Sequence, residues 1–235
     1  MLQMAVQRDA WGIGIGFYTV PEAARLLKIP PVNIRRWLGG YTYRKKGETI
    51  DLPPLWRPQL PSSEHHIELG FRDLIELRVI KSFLDAGLSL ITIRNCLEYA
   101  RECANDERPF STRRFQTDGR TIFLESLRRS GEAELLDLKS RQYVIRNVID
   151  RTFKDLDLSD DIVTRWRPFR GKKSIVIDPQ RAFGQPIATL YGVPTIVLAE
   201  AATAEGSIER VSYLYDVPVP VVRDAISFEN TLLVA

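Results

Sequence analysis

The pair Pro30-Pro31 constrains the first forty residues of this chain more than any other feature. Proline is tolerated in the first turn of a helix, where its missing N–H has no intrahelical partner, and ends a helix anywhere further in. The pair therefore closes one helix and opens another with almost no loop between them. Upstream, Thr19 is placed to cap a helix, Glu22 three residues on completes a capping box, and Pro21 falls in the first turn. Ala23, Ala24 and Leu27 then form an apolar stripe. Downstream, Ile34, Trp37 and Leu38 share one helical face, and Gly39-Gly40 ends it. Two short helices joined by a tight break predict a helix-turn-helix.

The second helix turns Asn33, Arg35 and Arg36 outward. Asparagine can read adenine, and arginine can read guanine or grip phosphate, if such a helix enters a major groove. The segment Tyr41-Thr42-Tyr43-Arg44-Lys45-Lys46-Gly47 follows, and its β-prone aromatics and glycine predict a hairpin with cations at the tip. Between Phe17 and Ile50 the basic residues are Arg25, Lys28, Arg35, Arg36, Arg44, Lys45 and Lys46, against Glu22 and Glu48. A solvated helical hairpin would also carry such charge. The order of capped helix, tight turn, arginine-bearing helix and basic hairpin favours nucleic acid.

Tyr18-Thr19-Val20-Pro21-Glu22-Ala23-Ala24-Arg25-Leu26-Leu27, with Ile34-Arg35-Arg36-Trp37, resembles the winged helix-turn-helix of MerR-type regulators. The resemblance implies that the second helix reads the major groove while the wing grips the backbone. It carries DNA contacts to Asn33, Arg35, Arg36, Tyr43, Arg44, Lys45 and Lys46. Trp37 reads as core. The block Phe71-Arg72-Asp73-Leu74-Ile75 to Ala86-Gly87-Leu88-Ser89-Leu90 is similar to the helices that follow the wing in that family. Leu74, Ile75, Leu77, Ile80, Phe83 and Leu84 recur at helical spacing, and Ser89 can cap a next helix with Ile93 and Leu97 inward. Asp73 is expected as a first-turn charge and Glu76 on an exposed face.

The middle is read from local signals. The proline-rich stretch 53–63 predicts an irregular connector. Asp118-Gly119 between Arg113–Thr117 and Arg120–Leu124 predicts a β-hairpin. Residues 133–156 predict a long helix, with Leu135, Leu138, Ile145, Ile149 and Leu156 loosely seven apart. That helix could dimerise or pack on the chain's own core. Thr164–Lys173 is basic and predicts an extended segment between domains.

Charge divides the chain unevenly. The total of +3 resolves into +4 for residues 1–66, +3 for 67–173 and −4 for 174–235. The acidic end predicts a short strand at Ser174–Ile177 and three short helices. The first spans about Pro194 to Ala204; the second, capped by Ser207, has Ile208, Val211 and Leu214 inward. Val222, Ala225 and Ile226 face the core of the third.

Ile177-Asp178-Pro179, Phe183-Gly184-Gln185-Pro186-Ile187 and Gly192-Val193-Pro194 resemble a small trihelical domain that recurs in bacterial antitoxins encoded beside PIN-like ribonuclease toxins. Gly206-Ser207-Ile208-Glu209-Arg210-Val211 and Val221-Val222-Arg223-Asp224-Ala225-Ile226 continue the likeness. The family's usual Gly-Thr-Arg is replaced by Leu190-Tyr191-Gly192. Taken together the chain resembles a VapB-type antitoxin. The expected fold is mainly α with small β hairpins: a winged helix-turn-helix over 17–105, a hairpin, long helix and basic connector over 106–173, and a trihelical helix-turn-helix-like domain over 174–235.

The resemblance implies an autorepressor homodimer that binds double-stranded operator DNA and neutralises a PIN-like ribonuclease toxin. A second helix-turn-helix that bound DNA should be basic, since phosphate neutralisation supplies much of the affinity. The acidic unit is therefore expected to hold a basic protein partner, with dimerisation or packing as the competing role. A MerR-like regulator responding to a small ligand is the alternative function.

No catalytic set is expected. Gly12-Ile13-Gly14-Ile15-Gly16-Phe17 has phenylalanine where a dinucleotide fingerprint needs glycine, and no Walker A is present. His65-His66 lack cysteines at metal spacing, so neither metal nor cofactor is expected. Cys96 and Cys103 on one helix would lie about 10 Å apart, too far for a disulfide. A reducing cytoplasm is expected, with no secretory signal and no apolar run of the ~20 residues that span a bilayer.

Overall fold

Local capping and tertiary packing agree along most of the chain, and the result is mainly helical with small sheets. The structure, a computed structural model, describes residues 14–45, 47–61, 66–131 and 138–233. Strand β1 (Tyr18–Thr19) leads into α1 (Val20–Leu27), where the Thr19 and Glu22 capping box is formed. Such a cap contributes about 1 kcal/mol. Helix α2 (Pro31–Gly39) follows, then the antiparallel hairpin of β2 (Tyr41–Lys45) and β3 (Glu48–Leu52). Residues 53–61 are irregular, yet Leu55, Trp56 and Leu60 are buried. Strand β4 (Glu68–Leu69) pairs back with β1.

Helices α3 (Phe71–Asp85) and α4 (Leu90–Ala104) form as their periodicity predicts, and Ser89 caps α4 through the Thr92 N–H. Cys96 and Cys103 are both free thiols on α4.

The 113–124 hairpin does not form. Helix α5 (Arg113–Arg129) runs through it, capped by Thr112, whose hydroxyl accepts from the Phe115 N–H. Its buried residues are Phe115, Gly119, Ile122, Phe123, Ser126 and Leu127, a helical period that outweighs the local Asp-Gly turn signal. Gly119 marks the closest approach to the next helix: a Cβ there would lie 2.9 Å from the Ile149 Cδ1.

The predicted 133–156 helix is shorter. Helix α6 (Leu138–Phe153) stops before Leu156, which opens β5 (Leu156–Ser159). Leu135 lies outside the described residues. Ile145, Ile149 and Phe153 are buried in the chain's own core, so this face is already used within the chain.

Thr164–Trp166 is not a free linker segment. It belongs to β6 (Ile162–Trp166), joined to β5 by the two-residue turn Asp160-Asp161, both at positive φ. β6 also pairs with β7 (Ile175–Ile177), which pairs with β8 (Pro186–Ala188), giving the antiparallel order β5-β6-β7-β8. Strands on either side of residue 173 thus share one sheet. Helices α7 (Thr195–Glu205), α8 (Ile208–Tyr215) and α9 (Val219–Leu233) complete the chain.

Three apolar clusters hold these parts. The largest runs from Tyr18 to Ile177, and a small one within the last three helices centres on Leu198, Val211 and Val222. The third joins the two ends of the chain: Phe169, Ile175, Phe228 and Leu232, with Leu26 of α1 packed against them. No described helix is long and apolar enough to cross a membrane.

Candidate nucleic-acid interface

Helix α2 is held from beneath. Ile34, Trp37 and Leu38 are buried, and Trp37 is core as its spacing predicts. With that face fixed, a helix of nine residues must present its remaining positions outward. Arg35 and Arg36 are exposed and Asn33 is half-buried. The β2–β3 hairpin, expected as the wing, follows through Gly40, at φ +74, where a Cβ would stand 2.8 Å from the Leu52 carbonyl oxygen. Only glycine fits this turn, so α2 and the wing keep a fixed relation.

The wing's register places Tyr41 opposite Leu52 and Tyr43 opposite Ile50, with Arg44 opposite Thr49. Tyr41 and Tyr43 lie on one face with ring centroids 6.1 Å apart, and the Arg36 guanidinium sits 5.7 Å from the Tyr41 centroid. Arg36 thus bridges the helix and the wing. Among the described residues, Arg35, Arg36 and Arg44 make no ion pair. Lys46 and the side chain of Lys45 lie outside the described residues. The structure brings Arg36 and Tyr43 onto one continuous surface, with Arg44 beside them on the strand's other face.

The connector behind the wing is clamped from α4. Arg94 donates to the carbonyl oxygens of Pro53 (2.9 Å) and Pro54 (3.4 Å), and Arg101 donates to that of Leu55. Behind this lies a buried polar network not foreseen from the sequence. Asp73 is fully buried and accepts from the Gly70 N–H (2.9 Å), the Gln59 N–H (2.8 Å), the Trp56 indole (2.9 Å) and Arg108 (2.6 Å). Its first-turn position is as predicted.

Glu76 is not on an exposed face. It is fully buried and accepts from the N–H groups of Phe110 (3.2 Å) and Ser111 (2.8 Å). Burial pushes its carboxyl up to about 8, against the opposing pull of Ser111, Arg72 and the Phe110 N–H. Both carboxylates serve architecture: they bind the connector and the turn at 109–111 to α3, which seats the wing.

The C-terminal unit offers a different surface. Leu214 does not face its core but is 54% exposed, next to Tyr213 at 84% and Tyr215. The cation of α8, Arg210, is paired with Glu205 at 2.7 Å, and Arg223 of α9 lies 4.0 Å from Glu209. A phosphate-gripping helix needs unneutralised cations, and this one presents aromatic and aliphatic groups instead. The unit's −4 is also partly offset by the connector, since Arg165 pairs with Asp178 (2.8 Å) and Lys172 with Asp224 (2.6 Å). Arg167 forks onto Asp157. These three connector cations are therefore occupied within the chain.

Among the described residues no cluster of three or more His, Cys, Asp or Glu could hold a metal; His65 lies outside them. Comparison with known proteins found no matching family model. The chain is 25% identical over 223 residues to a Mycobacterium tuberculosis protein named "Putative antitoxin VapB45", covering 90% of this chain and 93% of that one. Its fold is similar to the crystal structure of Rv2018 from Mycobacterium tuberculosis, with a TM-score of 0.72 at 23% identity over 92% of this chain and 98% of the other.

Proposed function

We propose that this chain is an antitoxin of a type II toxin–antitoxin pair. Its α2 and wing bind operator DNA as an autorepressor, and its C-terminal unit neutralises a PIN-like ribonuclease toxin by direct binding. The observation that carries the DNA half is the set of Arg35, Arg36 and Arg44, without ion pairs among the described residues, beside exposed Tyr43 on a helix and hairpin held in fixed relation. Cations without a carboxylate partner are free to displace the counterions of a phosphate backbone. The full-length similarity to a protein named as an antitoxin supports the toxin half.

The proposed mechanism is binding alone. Repression follows from occupancy of the promoter, and neutralisation from covering the ribonuclease active site. The DNA-bound form is a homodimer on a palindromic operator, since half-site symmetry mirrors protein symmetry. In this scheme the α8 end bearing Tyr213, Leu214 and Tyr215 meets the toxin, because exposed aromatic and aliphatic groups on a helix without free cations suit protein rather than DNA.

The test uses the full chain, duplex DNA from its own promoter, and the small ribonuclease encoded beside it. Arg36→Ala should lose operator binding by about 10–100-fold while toxin inhibition survives, and Leu214→Asp should do the reverse. Unchanged DNA affinity in Arg36→Ala would remove α2 as the recognition helix. Undiminished toxin inhibition by Leu214→Asp would remove α8 from the toxin contact.

A further inference from the structure

A cavity of about 240 Å³ lies where the DNA-reading module meets the C-terminal unit. One wall is Phe17, just before β1, with Tyr18, Glu22, Arg25 and Leu26 from β1 and α1; the other includes Gln185, Thr195 and Glu229, from the β8 approach, α7 and α9. From its geometry and chemistry we propose that this cavity is a binding site for a small organic monocation, an amine or guanidinium on a short apolar body. The proposal does not depend on the antitoxin role.

Glu229 carries the argument. It is 6% exposed, deep enough that an ionised carboxylate needs compensation. One oxygen accepts from the Thr195 hydroxyl at 2.5 Å. Among the described residues the carboxylate makes no second hydrogen bond and no ion pair, and it lines the cavity. Its remaining oxygen has no hydrogen-bond partner among the described residues and is available to an occupant of the space the residue lines. The charged lining is Glu22, Glu229 and Arg25, one negative charge in excess, which matches an occupant with one positive charge.

Shape and lining set the rest of the ligand. At about 30 Å³ per water the cavity has room for about eight waters, far more than a bare ion fills. Two carboxylates without a third ligand also make a poor metal cage. Phe17, 41% exposed, and Leu26 supply apolar wall, and an aromatic face beside a carboxylate favours an organic cation. The Phe17 backbone is fixed at this mouth by its N–H bond to the Phe183 carbonyl oxygen at 2.9 Å.

Benzylamine is the probe, with benzyl alcohol and benzoate as neutral and anionic matches, added to the full-length protein. Isothermal titration and thermal shift should show saturable benzylamine binding, at least tenfold weaker binding of both controls, and at least a tenfold loss in Glu229→Gln. Phe17→Ala, which leaves the backbone bond in place, should weaken benzylamine several-fold and decides the matter if Glu229→Gln does not fold. No saturable binding up to about 10 mM, equal affinity for benzyl alcohol, or amine binding indifferent to the folded variants would each overturn the site.

Discussion

The phenol of Tyr18 donates a 2.7 Å hydrogen bond to the Gly184 carbonyl oxygen, 166 residues further along the chain. Tyr18 is 2% exposed, and burial, helped by Glu22 and Asp178 nearby, pushes its phenol up, so the donor proton stays in place across ordinary pH. The bond ties the strand that leads into α1 and α2 to the turn before β8. Tyr18→Phe should lower stability by about 1–3 kcal/mol, since it leaves a buried carbonyl without its partner. Gly184→Ala should cost more: Gly184 sits at φ +82, and a Cβ there would fall onto the Tyr18 hydroxyl. Urea denaturation of both variants checks the pair, and a neutral Tyr18→Phe would mean the two ends are joined by apolar packing alone.

Gly119 makes a second prediction. As a mid-helix residue against α6, its replacement by leucine should overpack Ile149 and Phe115 and cost about 1–3 kcal/mol. Alanine sets a gain in helix propensity of about 1 kcal/mol against displacement of one Ile149 methyl, so its effect should be small. In a hairpin turn with positive φ, alanine would be the costly change instead. Thermal denaturation of Gly119→Ala and Gly119→Leu separates the two geometries.

This residue also shows where the sequence was legible. Helices α1 and α2 could be read because cap, proline, stripe and terminating glycine all lie within a few residues of one another. Asp118-Gly119 misled because turn propensity is local, whereas the Phe115, Ile122, Phe123 and Leu127 face is fixed by packing on α4, α6 and the Phe83 and Phe110 rings. In this middle region a hairpin forms instead at Asp160-Asp161, a pair without glycine, and its partner strand β7 lies beyond a segment read as a linker. Of the candidate interface, the outward arginines and the wing were readable from spacing. The Arg36–Tyr41 contact and the burial of Asp73 and Glu76 were not, since both depend on groups 5 to 35 positions away.

Glu76 should make stability depend on pH. Its folded value, about 8, lies above that of an exposed glutamate, so the folded state holds the proton more tightly than the unfolded state. Stability from this group is then fully present below about 4.5 and is lost as pH rises through about 8. Glu76→Gln keeps a side-chain acceptor for the 109–111 turn and removes the titration. Unfolding free energies at pH 5, 7 and 9 should fall for the wild-type chain and flatten for the variant. A parallel decline in both would assign the pH dependence to another group.

Arg44 and Arg36 should differ in how they contribute to DNA affinity. Arg44 lies out on a hairpin strand, opposite Thr49, and in the proposed scheme it meets the phosphate backbone. Each phosphate contact adds about 0.9 to the slope of log affinity against log salt. Arg44→Ala should therefore weaken operator and unrelated duplex alike and reduce that slope by about 1. Arg36 stands on the outward face of α2, steadied by the Tyr41 ring. Its loss should fall more heavily on operator than on unrelated DNA, by about 1–3 kcal/mol of discrimination, because base-edge contacts carry the sequence information. Neither change should lower thermal stability, since both side chains are exposed and without ion pairs among the described residues. Fluorescence anisotropy on both duplexes at several salt concentrations measures the two quantities together. Equal losses on the two duplexes for Arg36→Ala would make α2 a backbone clamp and move sequence reading elsewhere on the surface.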